Sequence, residues 1–261
     1  MVAAFEQHLR DIVLRAQGAT IARLQRRLTM TDGVIDQTAA NYSAMRRVGA
    51  IFMEEMDRAG YPQLVQAFVG EFKGTLPFLD DILRYLSDQL RVPLPLDRLN
   101  VKDPVLTSYQ ITASDALTAV VEGVAGTAMR RAMFSVGGLK FADLVASLTE
   151  KFETSIARAR TLADTAMSTF YRTATDRAFQ VIEKDLPQQE IKYRYSGPDD
   201  KLTRPFCEHL LRLDKGYTRE QIDGMSNGQL PNVWLTGGGW NCRHSFVIDT
   251  RSLERRAMEA A

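Results

Sequence analysis

At 261 residues, with 45% hydrophobic and 25% charged side chains, the chain has ordinary globular composition and enough length for one large or two smaller domains. Its 33 basic and 32 acidic residues leave a net charge of +1, which excludes the whole-chain basic footprint of a dedicated nucleic-acid binder, so any DNA contact is expected to be local. No apolar run approaches the ~18 residues of a bilayer span, and Met1-Val2-Ala3-Ala4-Phe5-Glu6 lacks the basic-then-apolar order of a leader; the expected place is the cytoplasm, or wherever a partner takes the chain.

Along residues 5–28, Phe5, Leu9, Ile12, Val13, Ala16, Ala19 and Leu24 recur at steps of three and four, which predicts an amphipathic helix. Its arginines, Arg10, Arg15, Arg23, Arg26 and Arg27, read as a solvated face rather than a phosphate-binding stripe. Thr31-Asp32-Gly33 breaks the period, and a second helix is expected over 35–59, ending at Gly60. Shorter helices are expected over 63–72 and 77–90. Residues 92–103 carry two prolines and no helical period, which predicts an extended connection. The next helix starts either at Asp103-Pro104 or at Ser114-Asp115 and ends at Gly137-Gly138. Its small residues Gly123, Ala125, Gly126 and Ala128 suit close helix packing.

Residues 139–186 hold the longest periodic stretch, from Leu144 and Leu148 through Phe170 to Ile182, with no Gly or Pro until Pro187. Such a helix would be on the order of 70 Å long, longer than a compact domain is wide, so it is expected to act as a spine whose apolar face needs a partner. After Pro187 the texture changes. Ile191-Lys192-Tyr193-Arg194-Tyr195 alternates as a half-exposed strand, Pro205 opens a helix to about Leu213, and Thr218-Arg219-Glu220-Gln221 has capping-box spacing. Strands are expected over 232–236 and 243–249. The predicted fold is therefore α+β: a long, mostly α-helical N-terminal region followed by a small α+β C-terminal domain. Its segments are N-terminal helical hairpins (1–92), a linker (93–103), a long-helix region (104–189), an α+β domain (190–250) and a charged tail (251–261).

Both cysteines and two of the three histidines fall in this last domain, as Cys207-Glu208-His209 and Cys242-Arg243-His244. Zinc takes four ligands from Cys sulfur and His nitrogen, and Cys207, His209, Cys242 and His244 supply that inventory. On a strand Cys242 and His244 share a face; on a helix Cys207 and His209 diverge by about 200°, so a complete set needs local unwinding. A buried unbridged thiol pair and a disulfide are the other states open to Cys207 and Cys242, with the unbridged pair favoured because reduced cysteine packs as a small hydrophobe. A catalytic thiol lacks a group to orient its histidine, and the scattered carboxylates have no diagnostic spacing. Gly237-Gly238-Gly239 has no Gly-Lys-Ser/Thr ending and is not a phosphate loop; it reads as a tight turn feeding a strand.

The order Thr203-Arg204-Pro205-Phe206-Cys207, then Tyr217-Thr218-Arg219-Glu220-Gln221-Ile222, then Asn227-Gly228-Gln229, then Gly237-Gly238-Gly239-Trp240-Asn241-Cys242-Arg243-His244 resembles the C-terminal domain of tailed-phage minor head proteins, the Mu F-like and SPP1-type head morphogenesis family. Members commonly place a proline soon after the Cys-Arg-His or Cys-Arg-Cys element, where this chain has Ser245-Phe246-Val247-Ile248-Asp249. The resemblance covers about residues 190–250 and makes Arg204, Pro205, Cys207, Gly237, Gly238, Gly239, Asn241, Cys242, Arg243 and His244 its structural motif. It implies a minor capsid component without catalysis, associated with the portal or the major capsid protein and with the head interior of the virion, after assembly in the host cytoplasm. The helical N-terminal region is expected to bind the partner through packing, with self-association and weak contact with packaged DNA as further expectations. No effector domain is expected beyond Ala261. The alternatives are a zinc- or cysteine-dependent enzyme acting on nucleic acid or protein, and an internal protein injected with the DNA.

Overall fold

The computed structural model describes residues 1–90, 103–134, 140–185 and 191–251. The fold is α+β, with a long, mostly helical N-terminal region ahead of a small α+β part. The chain divides into two compact units, one made of Met1–Gly70 and Ile111–Ala163, the other of Glu71–Gln110 and Asp164–Ala261. Each unit is assembled from stretches far apart in sequence, a grouping that the linear segments 1–92, 104–189 and 190–250 do not express. The expected connection at 93–102, the helix stops at Gly137-Gly138 and Pro187, and the tail from 252 lie outside the described residues. No described helix is long and apolar enough to cross a membrane.

In the first unit, α1 (Val2–Gln25) buries Phe5, Leu9, Ile12, Val13, Ala16 and Leu24, the stripe its periodicity predicts. It packs on α3 (Val48–Arg58) and α4 (Tyr61–Gly70), with the Phe5 and Phe68 rings 4.5 Å apart. Arg23 leaves the solvated set: it donates to Glu54 at 2.8 Å and to Glu55 at 2.7 Å, and Arg58 shares Glu55. The single helix expected over 35–59 is corrected. Asp32 and Gly33 take φ values of 51° and 76°, which makes a two-residue hairpin turn between β1 (Met30–Thr31) and β2 (Val34–Ile35). Thr38 then starts α2 (Ala39–Arg46) afresh, its side chain accepting the Asn41 N–H. The fully buried Asn41 amide ties the two together, accepting from Thr29 N–H and donating to the carbonyls of Thr29 and Asp36.

A short 3-10 turn (Glu71–Thr75) leads to α5 (Pro77–Leu90). Of the two starts open to α6 (Pro104–Phe134) the earlier one holds: Pro104 takes the first turn and Asp103 Oδ1 accepts the Val105 N–H at 2.8 Å. The helix α7 (Phe141–Asp185) has 45 residues, about 68 Å of rise, and contributes to both units. Leu144, Leu148, Ile156, Ala159 and Ala163 are buried in the first, and Ala166, Phe170, Ala174, Ala178 and Ile182 in the second. The expectation that this face needs another protein is therefore corrected: the chain covers it with its own residues along its length.

The second unit holds the α+β part. Antiparallel β3 (Tyr193–Ser196) and β4 (Ser245–Ile248) pair Tyr193 with Ile248 and Tyr195 with Phe246. Around them stand α8 (Pro205–Leu213), α9 (Arg219–Asp223) with both halves of its capping box formed, and α10 (Val233–Thr236). The strand expected over 232–236 is thus a helical turn, because Asn232 at φ 58° caps it by accepting the Leu235 N–H. Trp234 stacks on Phe246 at 5.6 Å and meets the edge of Tyr193 at 4.6 Å. Ala178, Phe179 and Ile182 of α7 complete this core. Arg219 lies 4.4 Å over the Trp234 ring and pairs with Asp176 and Glu183 of α7, binding α9 to that helix.

Candidate metal centre

The two Cys-x-His segments converge on one buried point. Cys207 enters from the first turn of α8, on the face opposite solvent, and Cys242 from the turn before β4; they are 1% and 3% exposed, with their sulfurs 3.9 Å apart. Both thiols are unbridged, which removes the disulfide from the three states open to them. His244, 2% exposed, brings Nδ1 to 3.7 Å from Cys242 Sγ. The ligand atoms of Cys207, Cys242 and His244 all lie within 4.8 Å of one another, so this cluster can hold a metal ion. His209 does not join it. The expected four-residue set is corrected to three because α8 is regular through Cys207 and His209, and a two-residue step on a helix turns His209 out to solvent.

The surrounding backbone is shaped to the sulfurs. Gly238 donates its N–H to Cys242 Sγ at 3.0 Å, and His244 donates its own at 3.4 Å. A Cβ on Gly238 would lie 2.3 Å from Cys207 Sγ, and one on Gly237, at φ 57°, would lie 2.8 Å from Cys242 Sγ. The glycine run therefore brings main chain to the thiols where any side chain would collide with them. His244 Nε2 is 2.7 Å from the Pro198 carbonyl. A carbonyl can only accept, so Nε2 carries a proton and Nδ1 is the ring nitrogen that faces the cluster.

Tyr195, placed opposite Phe246 on β3, stacks on the His244 ring at 5.4 Å with the planes 9° apart. Its hydroxyl stands 3.5 Å from each sulfur. Burial pushes its pKa up, as do the two thiols beside it. Within the pair, hydrogen bonding from Cys207 holds the Cys242 thiol well below the usual range, with the His244 and Gly238 N–H groups adding to the effect; Cys207 is pushed up correspondingly by the same bond and by burial.

Two arginines secure the loop that carries these groups. Arg172 of α7, 5% exposed, donates to the carbonyls of His244 at 2.9 Å, Leu235 at 3.2 Å and Cys242 at 2.5 Å. Arg204 donates to the carbonyls of Gly238 and Trp240. Irregular backbone has no ladder to satisfy its carbonyls, so guanidinium groups take that part. Burial lowers the Arg172 pKa, and the groups that oppose this are Cys242, Tyr195, Cys207 and Tyr109 rather than a carboxylate. Asn241 holds the left-handed φ of 54° and its N–H is met by Thr165 Oγ1. Arg243 points away and forks onto Asp200 at 2.7 and 2.8 Å, which pulls that carboxyl down to about 2. Pro205 occupies the first turn of α8.

The sequence-predicted residues thus separate into the cluster itself (Cys207, Cys242, His244), its glycine cradle (Gly237, Gly238) and the supports (Arg204, Asn241, Arg243). Gly239 serves the loop through Gln229, against which a Cβ there would collide. Arg172 and Tyr195 are the members that reading the sequence misses. Tyr195 is visible only as one alternating strand position, and the one signal for Arg172 is an arginine between Phe170 and Ala174 of the apolar stripe of a long helix.

Away from this centre, a groove of about 480 Å³ in the first unit is lined by residues that include Gly123, Thr127, Lys151 and Arg158. Thr127, Thr154 and Ser155 there bond back to their own helix carbonyls. The chain matches no family model, no curated protein and no solved structure.

Proposed function

We propose that the chain is a minor head protein of a tailed phage, a structural component that associates with the portal and the interior of the head and is assembled in the host cytoplasm. The observation that carries the reading is that the separated landmarks behind the resemblance, Arg204, Cys207, Gly237, Gly238, Cys242 and His244, meet around a single buried knot. Residues that recur in a fixed order gain a physical reason when all of them are needed to build one core. A knot whose thiols and imidazole are sealed from solvent suits a scaffold better than a nucleophile that must reach substrate. Zinc is the ion this reading assigns to the cluster, since thiolate and imidazole donors together select it.

Charge argues against a DNA-injected role. The net charge is +1, and Arg23 of α1 is engaged by Glu54 and Glu55. The test is co-sedimentation of the full chain with portal assemblies and, separately, with duplex DNA, at low and moderate salt. Portal association that changes little with salt is the expected result. Binding to DNA alone, falling steeply as salt rises, would transfer the assignment to an injected DNA-binding protein.

A further inference from the structure

A fourth donor, the Tyr195 hydroxyl, stands beside the three-residue cluster, and the four separations measured among these groups match edges of a tetrahedron about zinc. With Zn–S of about 2.3 Å and Zn–N or Zn–O near 2.0–2.1 Å, tetrahedral edges come to about 3.8 Å between sulfurs and about 3.5 Å from sulfur to nitrogen or oxygen. The measured separations are 3.9 Å between Cys207 and Cys242, 3.7 Å from Cys242 Sγ to His244 Nδ1, and 3.5 Å from the Tyr195 hydroxyl to each sulfur. We propose that Cys207, Cys242, His244 and Tyr195 form a closed four-ligand zinc site, in which the Tyr195 oxygen takes the position that a catalytic site leaves to water.

Three further observations fit this site. The Nε2 proton of His244 is held by the Pro198 carbonyl, the outer-sphere bond that fixes a metal-binding imidazole in the tautomer with Nδ1 free. The Gly238 and His244 N–H groups point at Cys242 Sγ, as amides do toward metal thiolates, and the cradle leaves no side chain to intrude. The Tyr195 hydroxyl is buried with the two sulfurs as its hydrogen-bond partners, poor ones for a phenol but apt neighbours for a shared ion. Charge also balances: two thiolates and a phenolate about a dication leave one negative charge beside the buried guanidinium of Arg172. The ion would join α8, β3 and the segment between the glycine turn and β4 at one point. This deepens the zinc assignment of the functional reading and needs neither portal nor head, so the two succeed or fail separately.

The experiment is metal analysis of the full-length protein, with cobalt(II) exchanged for zinc as a spectroscopic probe. The expected result is one zinc per chain, loss of thermal stability on chelation, and an intense thiolate-to-cobalt band with tetrahedral visible absorption. His209→Ala should keep the metal, whereas Cys207→Ser and Cys242→Ser should lose it. Tyr195→Phe preserves the ring and its stacking; it should bind zinc about tenfold or more weakly and alter the cobalt spectrum. Wild-type protein that takes up neither zinc nor cobalt, and melts identically with and without chelator, would overturn the site without recourse to any variant. Unchanged affinity and spectrum in Tyr195→Phe would overturn the fourth ligand.

Discussion

Gly238 shows how one residue can be required by its neighbours rather than by its own conformation. Its backbone N–H serves Cys242 and its carbonyl serves Arg204, so the main chain cannot withdraw, while a Cβ would lie 2.3 Å from Cys207 Sγ. Gly238→Ala should therefore destabilise the protein by about 2–3 kcal/mol, the upper part of the range for overpacking in a core. Gly224 provides the contrast. It closes α9 at φ −78° and a Cβ there meets only ordinary contacts at 3.6 Å, so Gly224→Ala should be neutral or stabilising by up to about 1 kcal/mol. Denaturant midpoints of the two variants, measured side by side, check the distinction; equal effects would remove the steric account of the cradle.

At the scale of elements, the hairpin and α2 depend on a single polar side chain. Asn41 is fully buried and satisfies main-chain groups of Thr29 and Asp36 at once, which fixes the register of a two-residue-long ribbon that could not persist alone. Asn41→Ala leaves buried donors and acceptors without partners, at about 1–3 kcal/mol for the unsatisfied groups. The expected outcome is a drop of that size in unfolding free energy, together with accelerated amide exchange at Thr29, the one N–H in the set that Asn41 accepts. Asn232 acts locally in a related way. Its left-handed φ and its bond to the Leu235 N–H turn residues read as strand into the helical turn that sets Trp234 against Phe246.

For the whole molecule, the α+β part is not a separable domain. Ala178, Phe179 and Ile182 of α7 belong to its core, Arg219 is paired to Asp176 and Glu183 of the same helix, and Arg172 satisfies its loop carbonyls. A fragment spanning 191–251 has about sixty residues, a size at which stability is marginal even with a complete core. It should be unfolded in isolation by near-ultraviolet circular dichroism. Extending the fragment to begin at 164 should restore the signal of Trp234; a folded short fragment would show that the α7 contacts are dispensable.

How much of this was legible beforehand depends on the range of the interaction involved. The helix α5, the bounds of α8, the capping box at Thr218 and the stripes of α1 and α7 follow from local propensity and period, because each is specified by residues within a few turns of one another. The gathering of Cys207 with Cys242 was also signalled by the confinement of both cysteines to two short motifs. The divergence of His209 from Cys207 on a regular helix was legible in the same local way, whereas long-range packing decided the entry of Tyr195 and Arg172 into the centre and the covering of α7 by its own chain. Those outcomes depend on which face of one element meets another far away in sequence, and a periodic pattern states that a face is apolar without stating what will cover it.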